Sequence, residues 1–484
     1  MDELSLARAA ADPEVAGRPA LIVGGATFSF AALAERASVM GAALREAGVS
    51  LGSRVALLAP NGVDTVVAIH ALLDLGATIV PIHPRLTAAE AAVILADAKP
   101  LLVLCEADLG RLAATRSPSA SPTTEAPRAD APLAIVYTSG TTGRPKGAVL
   151  SRRAFLASAA GSTVNLGWID ADRWLCCMPL CHVGGLSILT RCLIARRAVI
   201  LVPRFDPEAI LAAIDRERAT LLSVVPTMLQ ALLERDDGNV LARLRAVLVG
   251  GAAAPASLLE ACARRGVPAL TTYGLTEACS QVTVQRPAVP HRAAPGSGVP
   301  LAGVEIRIAR ADGSEAPRGE VGRIQVRGPT LMDGYFRGPD CAPEARVDAE
   351  GFFDTGDLGE RDDDGALHVH ARRNDLIVTG GENVYPVEVE QRLEAIAGVR
   401  RALVFGVPDE RWGQIVAAAL ETEPSVDLDD IAEAAAQSLA PHKRPRLACV
   451  VAALPLTGSG KLDRTRVVDR YAALLRPFNP ARRP

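Results

Sequence analysis

Leu133-Ala-Ile-Val-Tyr-Thr-Ser-Gly-Thr-Thr-Gly-Arg-Pro-Lys-Gly-Ala148 is the stretch around which the rest of the chain has to be read. The apolar run 133–136 predicts a buried strand, and Ser151 is a good N-cap for a helix that follows. Between them lie residues rich in short hydroxyls and glycine. Gly140, Gly143 and Gly147 permit backbone angles that bring N–H groups close to an anion, and Thr138, Ser139, Thr141 and Thr142 add short donors. Arg144 and Lys146 supply positive charge, so the loop suits a polyphosphate. It does not have the G-x-x-x-x-G-K-[ST] spacing. Counted from Gly140, the second glycine position holds Pro145, and Gly147 stands after the lysine where Ser or Thr belongs. A Gly/Ser/Thr cluster taken alone is equally compatible with a flexible surface turn.

Outward from this stretch, 484 residues leave room for one large and one small domain. A hydrophobic share of 49% with 22% charged residues is that of a soluble globular chain. The net charge of −3 gives no electrostatic footing for non-specific nucleic-acid binding. No apolar run approaches the ~20 residues of a membrane span, and Asp2 and Glu3 stand where a signal peptide would be basic. Nine scattered cysteines, an odd number, argue against a disulfide framework and for a reduced, cytoplasmic protein. Cys176, Cys177, Cys181 and His182 raise the question of a metal. The absence of a C-x-x-C pair and the neighbours Trp174, Leu175, Met178 and Leu180 favour packed core instead.

From residue 20 to 105, apolar runs at 20–23, 55–58, 78–81 and 101–104 alternate with helical patterns at 29–47 and 63–75, which predicts α/β layering on a parallel sheet. Gly48 fits the stop of the first helix. Residues 116–132, rich in Ser, Pro, Thr and Ala, read as a linker. Asp206-Pro-Glu starts a further helix with a cap, an N1 proline and an acid at the positive end. Residues 246–255 and 271–278 repeat the pattern of strand running into glycine, and ligands bind at such strand ends in open sheets. After Gly298, residues 304–308 and 324–327 alternate with period two around the Asp312-Gly313 turn, as in a small antiparallel, barrel-like sheet. Beyond Asn374 lies a compact α+β pattern, with helices at 386–396 and 428–439 and strands at 401–407, 415–420 and 447–451. The expected division is therefore a large N-terminal domain, 1–373, and a small C-terminal domain, 374–484.

Residues 137–148 closely resemble the phosphate-binding loop of the adenylate-forming superfamily, which comprises acyl-CoA synthetases, nonribosomal-peptide adenylation domains and luciferases. Further motifs resemble that superfamily's in order along the chain. The resemblance implies that Thr138, Ser139, Gly140, Thr141, Thr142, Gly143 and Lys146 hold the ATP phosphates. In Tyr273-Gly-Leu-Thr-Glu277, Glu277 would hold Mg²⁺, an ion suited to hard oxygen ligands. Tyr273 and Gly274 would lie against adenine, with Gly251 and Ala252 on the other side and Thr276 at the α-phosphate. Asp357 and Arg372 would hold the ribose, the carboxylate accepting from both hydroxyls. Lys461, in Leu456-Thr-Gly-Ser-Gly-Lys-Leu-Asp463, would reach the reacting carboxylate and α-phosphate; Thr138 and His182 complete the implied reacting set. By spacing alone, Glu277 could be a helix-start acid, Tyr273 and His182 core residues, Asp357 a turn residue and Arg372 a surface ion pair.

The same resemblance makes Asn374 the hinge, where the superfamily often has Asp or Lys, and makes Gly380 and Gly381 the loop that admits the pantetheine arm of coenzyme A. Trp412 is either a surface for the CoA nucleotide or ordinary packing. Within the superfamily, residues 174–187, 272–281 and 380–386 look most like the o-succinylbenzoate–CoA ligases of menaquinone biosynthesis. In that comparison His182, Ser280 and Gln281 would line the acyl site. The implied activity is a two-step ligase using ATP, Mg²⁺ and coenzyme A on a small carboxylic acid. A ligase for a benzoate- or anthranilate-type acid and a non-catalytic adenylate-binding homologue stay open, as does a homodimer.

Overall fold

The computed structural model describes residues 3–114, 127–139, 145–287, 296–372, 375–379, 382–409, 411–424, 426–457, 462–464 and 467–478. In the first portion the expected alternation is present. Strands Arg54–Leu58, Thr78–Pro81 and Leu102–Cys105 pair in parallel, and helices Val63–Leu75 and Ala88–Ala98 connect them. Local chemistry sets the helix ends. Ser29 caps Phe30–Glu46 by accepting from the Ala32 amide, and Gly48, at φ 91°, follows its end as expected. Thr87 and Glu90 close a capping box on Ala88–Ala98. Val63–Leu75 is buried on nearly every side, Val66, Ile69, Leu72 and Leu73 being almost inaccessible. Each such side chain contributes about 1.5–3 kcal/mol by leaving water.

The organising stretch folds differently from the expected strand, loop and helix. Strand Pro132–Ser139 turns back into a second strand, Pro145–Ser151, in antiparallel register with Thr138 opposite Lys146. The apolar residues Ala148, Val149 and Leu150 are buried, so the chain gains more by completing a ladder than by running directly into a helix. Residues 140–144 of this stretch fall outside the described residues. Ser151 then caps helix Arg152–Leu166 as the sequence predicts.

A nine-stranded sheet forms the second layer. At its centre Ala246–Val249 lies parallel between Leu221–Val224 and Ala269–Leu275. The run expected to be a strand ending in a glycine turn instead passes through Gly274 and returns antiparallel as Ser280–Val284, around the 3-10 turn Thr276–Ala278. Strands Glu305–Ala309, Gly322–Arg327, Phe353–Arg361 and Leu367–Arg372 make the expected antiparallel sheet, with the Asp312-Gly313 turn in place.

Beyond residue 375 helices Pro386–Glu394 and Leu428–Ser438 cover a sheet containing Val399–Asp409, Gly413–Thr422 and Leu447–Val450. The expected elements are all there, shifted by a few residues. Their apolar faces, including Val389, Leu393, Val404, Leu420 and Ile431, form a core that, among the described residues, draws on this C-terminal portion.

Candidate functional site

The hairpin delivers its lysine to a carboxylate through an aromatic ring. Gly147 lies so close to Ile135 and Tyr137 that a Cβ would come within 2.7 Å of the first, so the two strands meet tightly just after Lys146. The Thr138 hydroxyl donates to the Lys146 carbonyl at 3.5 Å. Lys146 Nζ stands 5.5 Å from the centre of the Tyr335 ring, a cation–π distance. Tyr335 is held there because the short strand Gly334–Tyr335 pairs with Ala148 and Val149. Its hydroxyl donates to Glu277 Oε1 at 2.9 Å. Burial, and then the Glu277 charge, raise the phenol's pKa above its ordinary value, so it remains a donor. Glu277 sits half-buried in the 3-10 turn, whose place is fixed by a 2.8 Å bond from the Met332 amide to the Glu277 carbonyl. It stands in the first turn of this short 3-10 element, but half-buried and hydrogen-bonded to Tyr335 rather than as an exposed acid.

A second group gathers at the ends of neighbouring strands. The Tyr273 hydroxyl donates to Asp357 Oδ2 at 2.6 Å, and Asp357 is buried. Asp357 stands opposite Arg372 in the strand register, which makes them cross-strand neighbours; the Arg372 side chain lies outside the described residues. Gly251, at φ 81°, and Ala252 are exposed just past the end of Ala246–Val249. Gly274 cannot carry a side chain, since a Cβ would fall 1.9 Å from the Ser280 carbonyl oxygen. Thr276 is half-buried beside Glu277.

His182 forms the N-cap position of helix Val183–Ala195. One turn in, the Ser187 hydroxyl lies 3.3 Å from that of Ser280. Four residues further along the same helix is Arg191, a buried cation whose Nη2 donates to Ser158 Oγ at 3.0 Å while its Nε has no partner among the described residues. Burial lowers its pKa to about 10, which leaves it charged at neutral pH. Ser280, at φ 92°, and Gln281 open the returning strand in different surroundings. Ser280 meets helix Val183–Ala195, whereas Gln281 Oε1 is buried without a partner among the described residues.

In the C-terminal portion Trp412 is flanked by two guanidinium groups, Arg411 at 5.1 Å and Arg446 at 4.4 Å from its ring. Leu456 and Leu462, either side of Lys461 in sequence, form a β-bridge, and Arg464 binds Glu390 at 2.7 Å. Lys461, Asn374, Gly380, Gly381, Gly140, Thr141, Thr142, Gly143 and the side chain of Ser139 lie outside the described residues. Sequence reading missed Tyr335, Arg191 and His83, which have no local motif and come to their neighbours only through sheet and helix packing, and gave no role to Ser187 within the 174–187 string.

Comparisons with known proteins give the chain's family and relatives. Residues 7–336 match the family model described as AMP-binding enzyme, and residues 388–461 match its C-terminal domain model. A 2-succinylbenzoate–CoA ligase of Bacillus licheniformis is 37% identical over 464 residues, which is 93% of this chain and 96% of that protein. The corresponding protein of Bacillus mycoides is 38% identical over 434 residues, 87% of this chain and 89% of its own length. Among solved structures, the o-succinylbenzoate CoA synthetase (MenE) of Bacillus subtilis in complex with the acyl-adenylate intermediate OSB-AMP superposes with a TM-score of 0.88 at 34% identity, covering 96% of this chain and 98% of that one. ATP-bound MatB of Rhodopseudomonas palustris gives 0.89 at 30% identity, over 97% and 99%.

Proposed function

The chain belongs to the AMP-binding enzyme family, and we propose that it is an AMP-forming acid–CoA ligase that converts o-succinylbenzoate to its CoA thioester in menaquinone biosynthesis. The observation that carries the proposal is the linkage of Lys146, Tyr335 and Glu277 on one side with the Tyr273–Asp357 bond on the other. The first supplies a cation and a carboxylate for phosphates and their metal, the second an aromatic face and a carboxylate for a nucleoside. Joining a carboxylate to the α-phosphorus of ATP is chiefly a matter of positioning and electrostatic stabilisation, and these are the groups it requires. Glu277 fits Mg²⁺, because a single carboxylate together with substrate phosphates is this ion's usual binding set. Bound there, Mg²⁺ would neutralise phosphate charge, and Tyr335 would hold the carboxylate in place. Thr138, Ser139 and residues 140–143 complete the phosphate cradle in this proposal. Gly251, Ala252, Gly274 and Thr276 line the nucleotide, and Arg372 joins Asp357 at the ribose.

The acid is assigned to the face formed by His182, Ser187 and Ser280. o-Succinylbenzoate has a second carboxylate and a ketone. The buried charge of Arg191, on the same helix as Ser187, suits an acid with that extra negative charge. Ser280→Ala is therefore expected to raise KM for the acid several-fold more than KM for ATP, the mark of a lost ground-state contact. Gln281→Ala, which removes a buried side-chain oxygen left without a partner among the described residues, should do the same. Steady-state kinetics in both substrates check this, and equal effects of Ser280→Ala on the two KM values would remove Ser280 from the acyl site.

The division at 373/374, the reactive role of Lys461, and the CoA contacts of Gly380, Gly381 and Trp412 belong to the same proposal. So does a cytoplasmic location, which nine free thiols support. Among the described residues no helix is long and apolar enough to cross a membrane. ATP–pyrophosphate exchange measured across a panel of acids tests the whole. o-Succinylbenzoate should give the fastest exchange. A benzoate or anthranilate preferred over it would replace the substrate, and exchange with none of the acids would overturn the enzymatic reading.

A further inference from the structure

We propose that His83, Cys181 and His182 form a binding site for a borderline-soft divalent cation, Zn²⁺ above all, between the turn after strand Thr78–Pro81 and the start of helix Val183–Ala195. One donor atom from each residue lies within 4.8 Å of the other two, and the two imidazole rings are 5.7 Å apart. Tetrahedral Zn²⁺ places its ligands about 3.5 Å from one another, so modest side-chain rotation closes the site. Two imidazoles and a thiol select Zn²⁺ or Co²⁺ over Mg²⁺, which keeps this site chemically distinct from the carboxylate of Glu277. Three protein ligands leave a fourth position for water or a carboxylate.

The surroundings impose definite conditions. His83 Nδ1 accepts a 3.1 Å hydrogen bond from the Arg85 amide, so ligation through Nε2 moves the ring proton to Nδ1 and gives up that bond. One half-exposed hydrogen bond is small beside a metal–nitrogen bond. Burial, and then the Arg85 charge, lower the His83 pKa, so the ring is neutral and able to ligate. Burial pushes the Cys181 thiol up to about 12, so the cation must displace its proton, while the Arg85 charge favours the thiolate. The same charge opposes the incoming cation. The consequence for catalysis rests on the assignment of His182 to the acyl site. A cation held there should compete with the acid and leave ATP binding unchanged.

Co²⁺ titrated into the metal-free, full-length protein provides the test. The expected result is one equivalent bound, with tetrahedral d–d absorption and a thiolate-to-cobalt charge-transfer band. The band should vanish in Cys181→Ser, and affinity should fall about tenfold or more in His83→Asn, with circular dichroism unchanged. Absence of the charge-transfer band in the wild type, or its persistence in folded Cys181→Ser, overturns the site. If Cys181→Ser does not fold, unaltered Co²⁺ affinity in His83→Asn overturns it instead. Zn²⁺ added at saturating Mg²⁺ should raise KM for the acid and not for ATP. A cobalt band without that kinetic effect upholds the metal site and overturns the placement of His182 beside the acid.

Discussion

Glu277→Ala is expected to slow adenylate formation by about 10²–10³ while the protein stays folded, which is the usual cost of removing one preorganised electrostatic element. The side chain is half-buried in a 3-10 turn, and the turn itself is held by a backbone bond from Met332 that the substitution leaves intact. What disappears is the carboxylate that Tyr335 orients. ATP–pyrophosphate exchange at saturating ATP and acid measures the loss, and a Mg²⁺ titration separates its causes. If Glu277 only raised the local Mg²⁺ concentration, excess Mg²⁺ would restore the rate. If it fixes the geometry of the ion, the rate stays low at any concentration. Tyr335→Phe should fall between wild type and Glu277→Ala, since the carboxylate remains but loses its tether. An unchanged rate in Glu277→Ala would make Glu277 a turn residue with no part in the chemistry.

What could be read along the chain was governed by interactions of short range. The caps at Ser151 and Asp206 each involve an amide three residues away, and they stand where the sequence predicts. The helices and strands of the C-terminal portion, dictated by their own periodicity, are displaced only by a few residues. The hairpin was harder. Pro145 and Lys146 made its second strand look like loop, and only pairing with Pro132–Ser139 turns Ala148 to Leu150 into a ladder. The site was legible to the extent that each motif carries its own residue. The contacts that make it a site join Tyr335 to Glu277 across 58 positions, Tyr273 to Asp357 across 84 and Ser187 to Ser280 across 93. No local pattern encodes such pairings. The same applies to His83, which reaches Cys181 and His182 only because two strand-end turns converge.

Lys461→Ala should nearly abolish adenylate formation, by at least the 10²–10³ typical of a lost transition-state partner, yet spare thioester formation. Lys461 and the Gly380-Gly381 loop both follow Asn374 in the chain, and by resemblance each serves a different half-reaction. One fixed arrangement cannot present both to the same carboxyl carbon, so the small domain is expected to turn between adenylation and attack by CoA. Given ATP and acid, the Lys461→Ala variant lacks the charge that, by resemblance, would meet the carboxylate and the α-phosphate. Given pre-made acyl-adenylate and CoA, it should release thioester at close to the wild-type rate, because the lysine is then turned away from the site. Asn374→Pro restricts φ at the hinge and should penalise the two half-reactions unequally, the more affected half being the one whose hinge angle proline cannot adopt. Rapid-quench measurement of each half-reaction, with circular dichroism as a check on folding, separates the alternatives. Equal loss of both halves in a well-folded Lys461→Ala protein would mean that a single fixed site performs both steps, with Lys461 permanently part of it.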